Sequence, residues 1–166
     1  HLANARGPQE HATYSLHTVA ESGASLCSEP LHRATLHFRM EPAEVEPLCF
    51  GDTFDMERAV INLLLNACQA LPDRNREIVV RTGILKDDVR VFLSVEDSGC
   101  GIKQEHLSLV GSPFFTTKAD AGGMGLGLSI VRRIVREHNG KFVIAPRDGG
   151  GTVATIILPR HMKEHT

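Results

Sequence analysis

In residues 54–73, FDMERAVINLLLNACQALPD, the polar side chains Arg58, Asn62, Asn66 and Gln69 recur at i, i+4, i+8 and i+11. That spacing lines them along one face of a helix. Beside them Val60, Ile61, Leu64, Leu65, Cys68 and Leu71 form an apolar stripe at helical spacing. Asparagine is a mediocre helix former, because its side chain competes for backbone hydrogen bonds. Two of them one turn apart in an apolar segment look chosen for their side chains. Their oxygens can complete the shell of a hard cation such as Mg²⁺, which keeps water and phosphate ligands. The same spacing also fits a solvated polar edge.

A second candidate lies in residues 89–102, VRVFLSVEDSGCGI. Val89, Val91, Leu93 and Val95 alternate onto one face of a strand, and Asp97 continues that face. A carboxylate on the buried side is costly unless it finds donors. At a pocket wall it can accept from an exocyclic amino group such as that of adenine. Gly99 and Gly101 then let the backbone approach a ligand. Asp-Ser-Gly is equally ordinary turn chemistry.

Two further stretches carry phosphate chemistry. SPFFTTK, residues 112–118, sets Phe114, Phe115, Thr116, Thr117 and Lys118 in a loop. Lys118 can meet a phosphate as a mobile point charge, and the phenylalanines need a partner surface or tack the loop onto the core. In GGMGLGLSIVRRIVREHNG, residues 122–140, Gly123, Gly125 and Gly127 alternate at the start of a helix. Free N–H groups and the macrodipole at a helix N-terminus attract anions. Neither GxxxxGK[ST] nor a GxGxxG after a first strand is present, which excludes a P-loop and argues against a Rossmann site.

These stretches need elements to hold them. The pattern predicts a lead-in over 1–10 (tag or linker), a helix over 11–28 with Leu16, Val19, Ala20 and Leu26 as its apolar side, and strands over 35–40 and 48–50. A long helix over 52–71 follows, capped by Asp52. Strands are expected over 77–85, 89–96, 141–146 and 151–159, the last two joined by the turn RDGGG. A short helix is read over 103–110, and a helix over 126–138 stops at Asn139-Gly140, with Arg132, Arg133, Arg136 and Glu137 facing water. Residues 161–166 read as a tail. About three helices and five to six strands, joined by hairpin-sized turns, make an α+β, two-layer sandwich with the helices on one face of a mixed, mostly antiparallel sheet.

The 166 residues suffice for one domain with a core of its own. Hydrophobic residues are 42% and charged ones 23%, as in ordinary globular chains. A net charge of −2 gives no broad case for nucleic acid or an anionic membrane. Cys27, Cys49, Cys68 and Cys100 have no CxxC spacing and read as reduced, mostly buried thiols, which suits a cytoplasmic domain. No apolar run reaches the length of a membrane span, and no secretory leader is seen. The chain opens abruptly on His1, so a piece of a longer protein is expected, and a membrane anchor elsewhere in that protein is left open.

In order and spacing, NLLLNA, DSGCG, PFFTTK and GGMGLGLS resemble the N, G1, F and G2 boxes of the sensor histidine kinase catalytic domain. That domain belongs to the wider group containing gyrase, the Hsp90 chaperones and the MutL proteins. The resemblance covers nearly all the chain from residue 11. It implies a Bergerat-type two-layer sandwich binding Mg-ATP. By motif position Asn66 resembles the Mg²⁺ ligand, assisted by Asn62, and Asp97 the adenine-reading carboxylate, in a pocket shaped by Gly99, Gly101 and Ile102. Phe114, Phe115, Thr116, Thr117 and Lys118 fall in an ATP lid over about 103–124. Gly123, Gly125, Leu126, Gly127 and Leu128 fall where the phosphates pass, and Thr152 supports the adenine side through its hydroxyl or a water.

The gyrase-like branch tends to carry a water-activating Glu where this chain has Asn62, so the resemblance favours phosphoryl transfer to histidine over hydrolysis. Gln69 departs from the family, many members of which are basic there, and leaves Lys118 or Arg58 to supply that charge. His11, His17, His32, His37 and His106 lack the family's acceptor pattern. The expected partners are therefore ATP, a histidine-bearing dimerisation domain of the same protein outside this chain, and a response-regulator receiver domain downstream. Neither nucleic acid nor membrane contact is expected, and the isolated domain is expected to be monomeric. Two other classes remain: a nucleotide-binding regulatory module without transfer, and an anti-sigma-type protein-serine kinase.

Overall fold

The computed structural model describes residues 11–100 and 124–162. The expected lead-in, the 103–110 helix, the 112–118 loop and the last four residues of the tail lie outside the described residues. Asp52 opens the central helix. Its backbone is extended and its carboxylate accepts from the Asp55 N–H at 3.1 Å, satisfying one of the donors that a helix start leaves unpaired. The helix, α3 (Thr53–Ala70), then buries Met56, Ala59, Val60, Leu63, Leu64, Ala67 and Ala70. Ile61, Leu65, Cys68 and Leu71, expected at the centre of the stripe, flank it half-buried. The stripe is displaced because α3 is covered by helices as well as by the sheet.

Around it the order is β1 (His11–Ser15), α1 (Leu16–Leu26), α2 (Ser28–Ala34), β2 (His37–Glu41), β3 (Leu48–Asp52), α3, β4 (Glu77–Ile84), β5 (Arg90–Asp97), α4 (Met124–Glu137), β6 (Lys141–Pro146) and β7 (Thr152–Pro159). The main sheet runs β2-β4-β5-β7-β6, parallel only between β2 and β4. β1 and β3 form a separate antiparallel pair. Ile78 and Val80 of β4, Val91, Leu93 and Val95 of β5, Ile156 and Leu158 of β7 and Phe142 of β6 are buried beneath α1, α3 and α4. This is the expected α+β sandwich, with four helices among the described residues.

Several expectations are corrected. The helix expected from residue 11 starts at Leu16, because Ser15 is its cap: the Ser15 hydroxyl accepts from the His17 N–H at 3.1 Å. Residues 11–15 instead pair with β3, a long-range contact that helical periodicity does not register. After Cys27 the chain turns into α2, where Pro30 sits in the first turn and its missing N–H costs nothing. Leu26 is 65% exposed at the end of α1, and Val89 is 65% exposed in the turn before β5, outside the alternation assigned to it. Of the thiols, all free, Cys27 and Cys49 are buried, Cys68 is half-buried and Cys100 is exposed.

The predicted stop of α4 is present. Asn139 adopts φ 59°, Gly140 N–H donates to Val135 C=O and Asn139 N–H to Arg136 C=O. That is the paired hydrogen-bond pattern of a helix ended by a left-handed residue. Arg132, Arg133, Arg136 and Glu137 are exposed as expected, while Leu128, Val131, Ile134 and Val135 are buried.

Candidate functional site

Asp97 ends β5 on the buried face, 6% exposed. Burial pushes its carboxyl up to about 6, opposed by the Gly99 N–H, the Arg147 charge and the Thr152 N–H. The Gly99 N–H donates to Asp97 Oδ1 at 2.9 Å. Two glycines make this corner possible. A Cβ on Gly99 would lie 2.4 Å from the Ala70 carbonyl oxygen at the end of α3, and one on Gly151 (φ 107°) would lie 1.8 Å from the Asp97 carbonyl oxygen. The neighbouring Cys100 N–H donates to Ala70 C=O. Asp97 is thereby held where β5, β7 and the C-terminal end of α3 converge, opposite Thr152 in the β5–β7 register. Thr152 meets Asp97 through its backbone N–H.

Arg147 supports this corner from the turn before β7, ion-paired to Glu77 and to Glu96. Arg39 and Arg81 extend the network through Glu41, Glu77 and Glu96 on the solvent side of the sheet. Sequence reasoning passed over Arg147 and Gly151, having read RDGGG as a turn. A lone Arg before a glycine run gives no local sign of the strand it will face.

Asn62 and Asn66 are half-buried on one side of α3, with Arg58 and Gln69 exposed at either end of the same face. α3 packs against α4. There a Cβ on Gly127 would stand 3.8 Å from Asn66 Oδ1 and 3.9 Å from Nδ2. Asn66 Nδ2 is buried and has no hydrogen-bond partner among the described residues. An orphaned buried amide is costly. A polar group held in that condition beside a bare glycine fits a site that a polar ligand completes.

The structure thus brings Asn62, Asn66, Asp97, Gly99, Gly127 and Thr152 onto connected elements. Leu128 is buried in the core, and Gly125 and Leu126 lie in the first turns of α4. Gly101, Ile102, Phe114, Phe115, Thr116, Thr117, Lys118 and Gly123 lie outside the described residues.

A family model described as histidine kinase-, DNA gyrase B-, and HSP90-like ATPase matches residues 51–162, and the chain belongs to that family. Among curated relatives, the sensor histidine kinase ZraS of Escherichia coli (strain K12) is 32% identical over 144 residues, which are 87% of this chain and 30% of that protein. The chain spans less than a third of the length of curated relatives such as this one. The solved catalytic domain of histidine kinase ThkA is 30% identical, with a TM-score of 0.78 over 91% of this chain and 98% of that one. ThkA solved in complex with response regulator protein TrrA is 27% identical, with a TM-score of 0.76 over 91% of this chain and 42% of that one. ZraS and ThkA are both histidine kinases, and the domain they share with this chain is the catalytic, ATP-binding one. No helix among the described residues is long and apolar enough to cross a membrane.

Proposed function

We propose that this chain binds Mg-ATP along the seam between α3, α4 and the β5–β7 corner. In this proposal it donates the γ-phosphate to a histidine on a helical dimerisation domain outside the chain, from which the phosphate passes to a receiver-domain aspartate. The observation that carries the proposal is the buried Asn66 amide nitrogen, which has no hydrogen-bond partner among the described residues and faces Gly127.

Each residue has a part that its chemistry supports. Asp97, already oriented by the Gly99 and Thr152 N–H groups, keeps lone pairs for an exocyclic amino group. Asn66 offers an amide oxygen of the kind Mg²⁺ accepts, with Asn62 one turn away as its assistant. Gly127 leaves the space beside Asn66 free of a side chain. When bound, Mg²⁺ neutralises charge on the phosphate oxygens, which with positioning is most of what phosphoryl transfer requires. Asn62 has no carboxylate with which to take a proton from water, so the face that hydrolases use for a base is inert here. The likeness to ThkA, solved with a response regulator, supports the downstream receiver.

Calorimetric titration of ATP and of adenosine, each with and without Mg²⁺, tests the site. Mg²⁺ is expected to tighten ATP and leave adenosine unaffected. Binding of neither overturns the proposal. ATP binding with no transfer to a supplied dimerisation domain replaces the kinase with a nucleotide-sensing module.

A further inference from the structure

On the reading that the phosphates lie between α3 and α4, we propose that His138 is a positioning residue of the site. Its ring braces the end of α4 against the start of α3 and so sets how Gly127 meets Asn66.

His138 follows the last residue of α4, and both ring nitrogens are engaged. Nδ1 lies 2.8 Å from the Ile134 carbonyl oxygen and Nε2 lies 3.0 Å from the Asp52 backbone nitrogen. A carbonyl can only accept and an N–H can only donate. Nδ1 therefore carries the proton and Nε2 is the acceptor. The Asp52 N–H belongs to the residue whose carboxylate caps α3. One ring thus ties the last turn of α4 to the cap of α3.

The two helices run antiparallel and meet at two points. His138 touches Asp52 at one end, and Gly127 faces Asn66 at the other. At 1.5 Å per residue these points are roughly 16 Å apart along α4 and roughly 21 Å apart along α3. Between them Leu128, Val131, Ile134 and Val135 bury the face of α4. Apolar contacts are non-directional, and close packing restricts the helix without tying any one pair of atoms together. A hydrogen bond between defined atoms at the far end adds a directional constraint to that packing. Gly51 makes room for it: a Cβ there would lie 2.2 Å from His138 Cδ2 and 2.6 Å from Nε2.

Three variants separate the brace from bulk stability. His138→Leu keeps a comparable volume and loses the acceptor. His138→Gln keeps an acceptor. Gly51→Ala displaces the ring while leaving His138 itself unsubstituted. In the ligand-free protein, the NMR signals of the Gly127 amide and the Asn66 side-chain amide are expected to shift in His138→Leu and Gly51→Ala and to return towards wild type in His138→Gln. Loss of one such hydrogen bond is expected to weaken ATP about tenfold, with adenosine unchanged within about twofold. Unshifted Gly127 and Asn66 signals in the two disruptive variants overturn the proposal. So do parallel losses of ATP and adenosine that track the fall in Tm. If His138→Leu does not fold, Gly51→Ala and His138→Gln carry the same comparison. Shifted signals in a protein whose wild type binds no ATP keep the brace and remove the nucleotide reading.

Discussion

At the β5–β7 corner Asp97 already has two backbone donors, and glycines stand wherever a side chain would collide with its surroundings. Where α3 meets α4, a buried Asn66 amide nitrogen has no partner among the described residues, and the neighbouring helix presents a bare glycine. The first end is built by hydrogen bonds within the fold. The second is left polar and incomplete. A flat, uncharged base is best read by a rigid, pre-oriented carboxylate. A charged triphosphate with its cation brings its own ligands and needs groups that are free to receive them.

Asp97→Asn bears hardest on this contrast. Losing a buried charged acceptor is worth about 1.5–3 kcal/mol, so ATP and adenosine affinity should both fall by about a hundredfold in calorimetry. Wild-type affinity in this variant removes Asp97 from the adenine end. Asn66→Ala should act on one end only. Mg²⁺-dependent ATP affinity is expected to drop about thirtyfold, as for loss of a metal ligand, while adenosine stays within about twofold. An equal loss with and without Mg²⁺ takes away its role as a ligand.

The contrast also has a pH signature. Burial holds the folded Asp97 pKa at about 6, above its ordinary value, so falling pH loads the proton onto the folded protein near that value. The ionised carboxylate is the better acceptor, so adenosine affinity should decline about tenfold between pH 7 and pH 5. Adenosine is the proper probe because phosphate groups titrate in the same range. A flat profile means that the neutral carboxyl serves as well. The smallest expected effect is that of Gly127→Ala. The added Cβ meets Asn66 only at van der Waals distance, and alanine is the better helix former by about 1 kcal/mol, so Tm should hold or rise. ATP affinity should nonetheless fall about fivefold, the added methyl taking space beside the amide. Unchanged ATP binding would mean that Gly127 serves the helix and not the ligand.

The sequence by itself determined what short-range rules govern. Asp52 as a cap, the polar face of Asn62 and Asn66, the phase of Asp97 on β5 and the stop at Asn139 all follow from periodicity and local hydrogen bonding. The order of the four boxes also fixed the family. Tertiary structure decided what distant backbones must settle together. It paired residues 11–15 with β3 instead of coiling them, and it pulled Leu26 and Val89 out of the core. It set Gly151 against the Asp97 carbonyl, turned the Asn66 amide towards Gly127 and brought His138 to the cap of α3. Those contacts join residues far apart in the chain, and propensity and spacing describe only neighbours. The periodicity of α3 says which residues share a face, and only the packing of α4 on that face decides which amide is buried without a partner among the described residues.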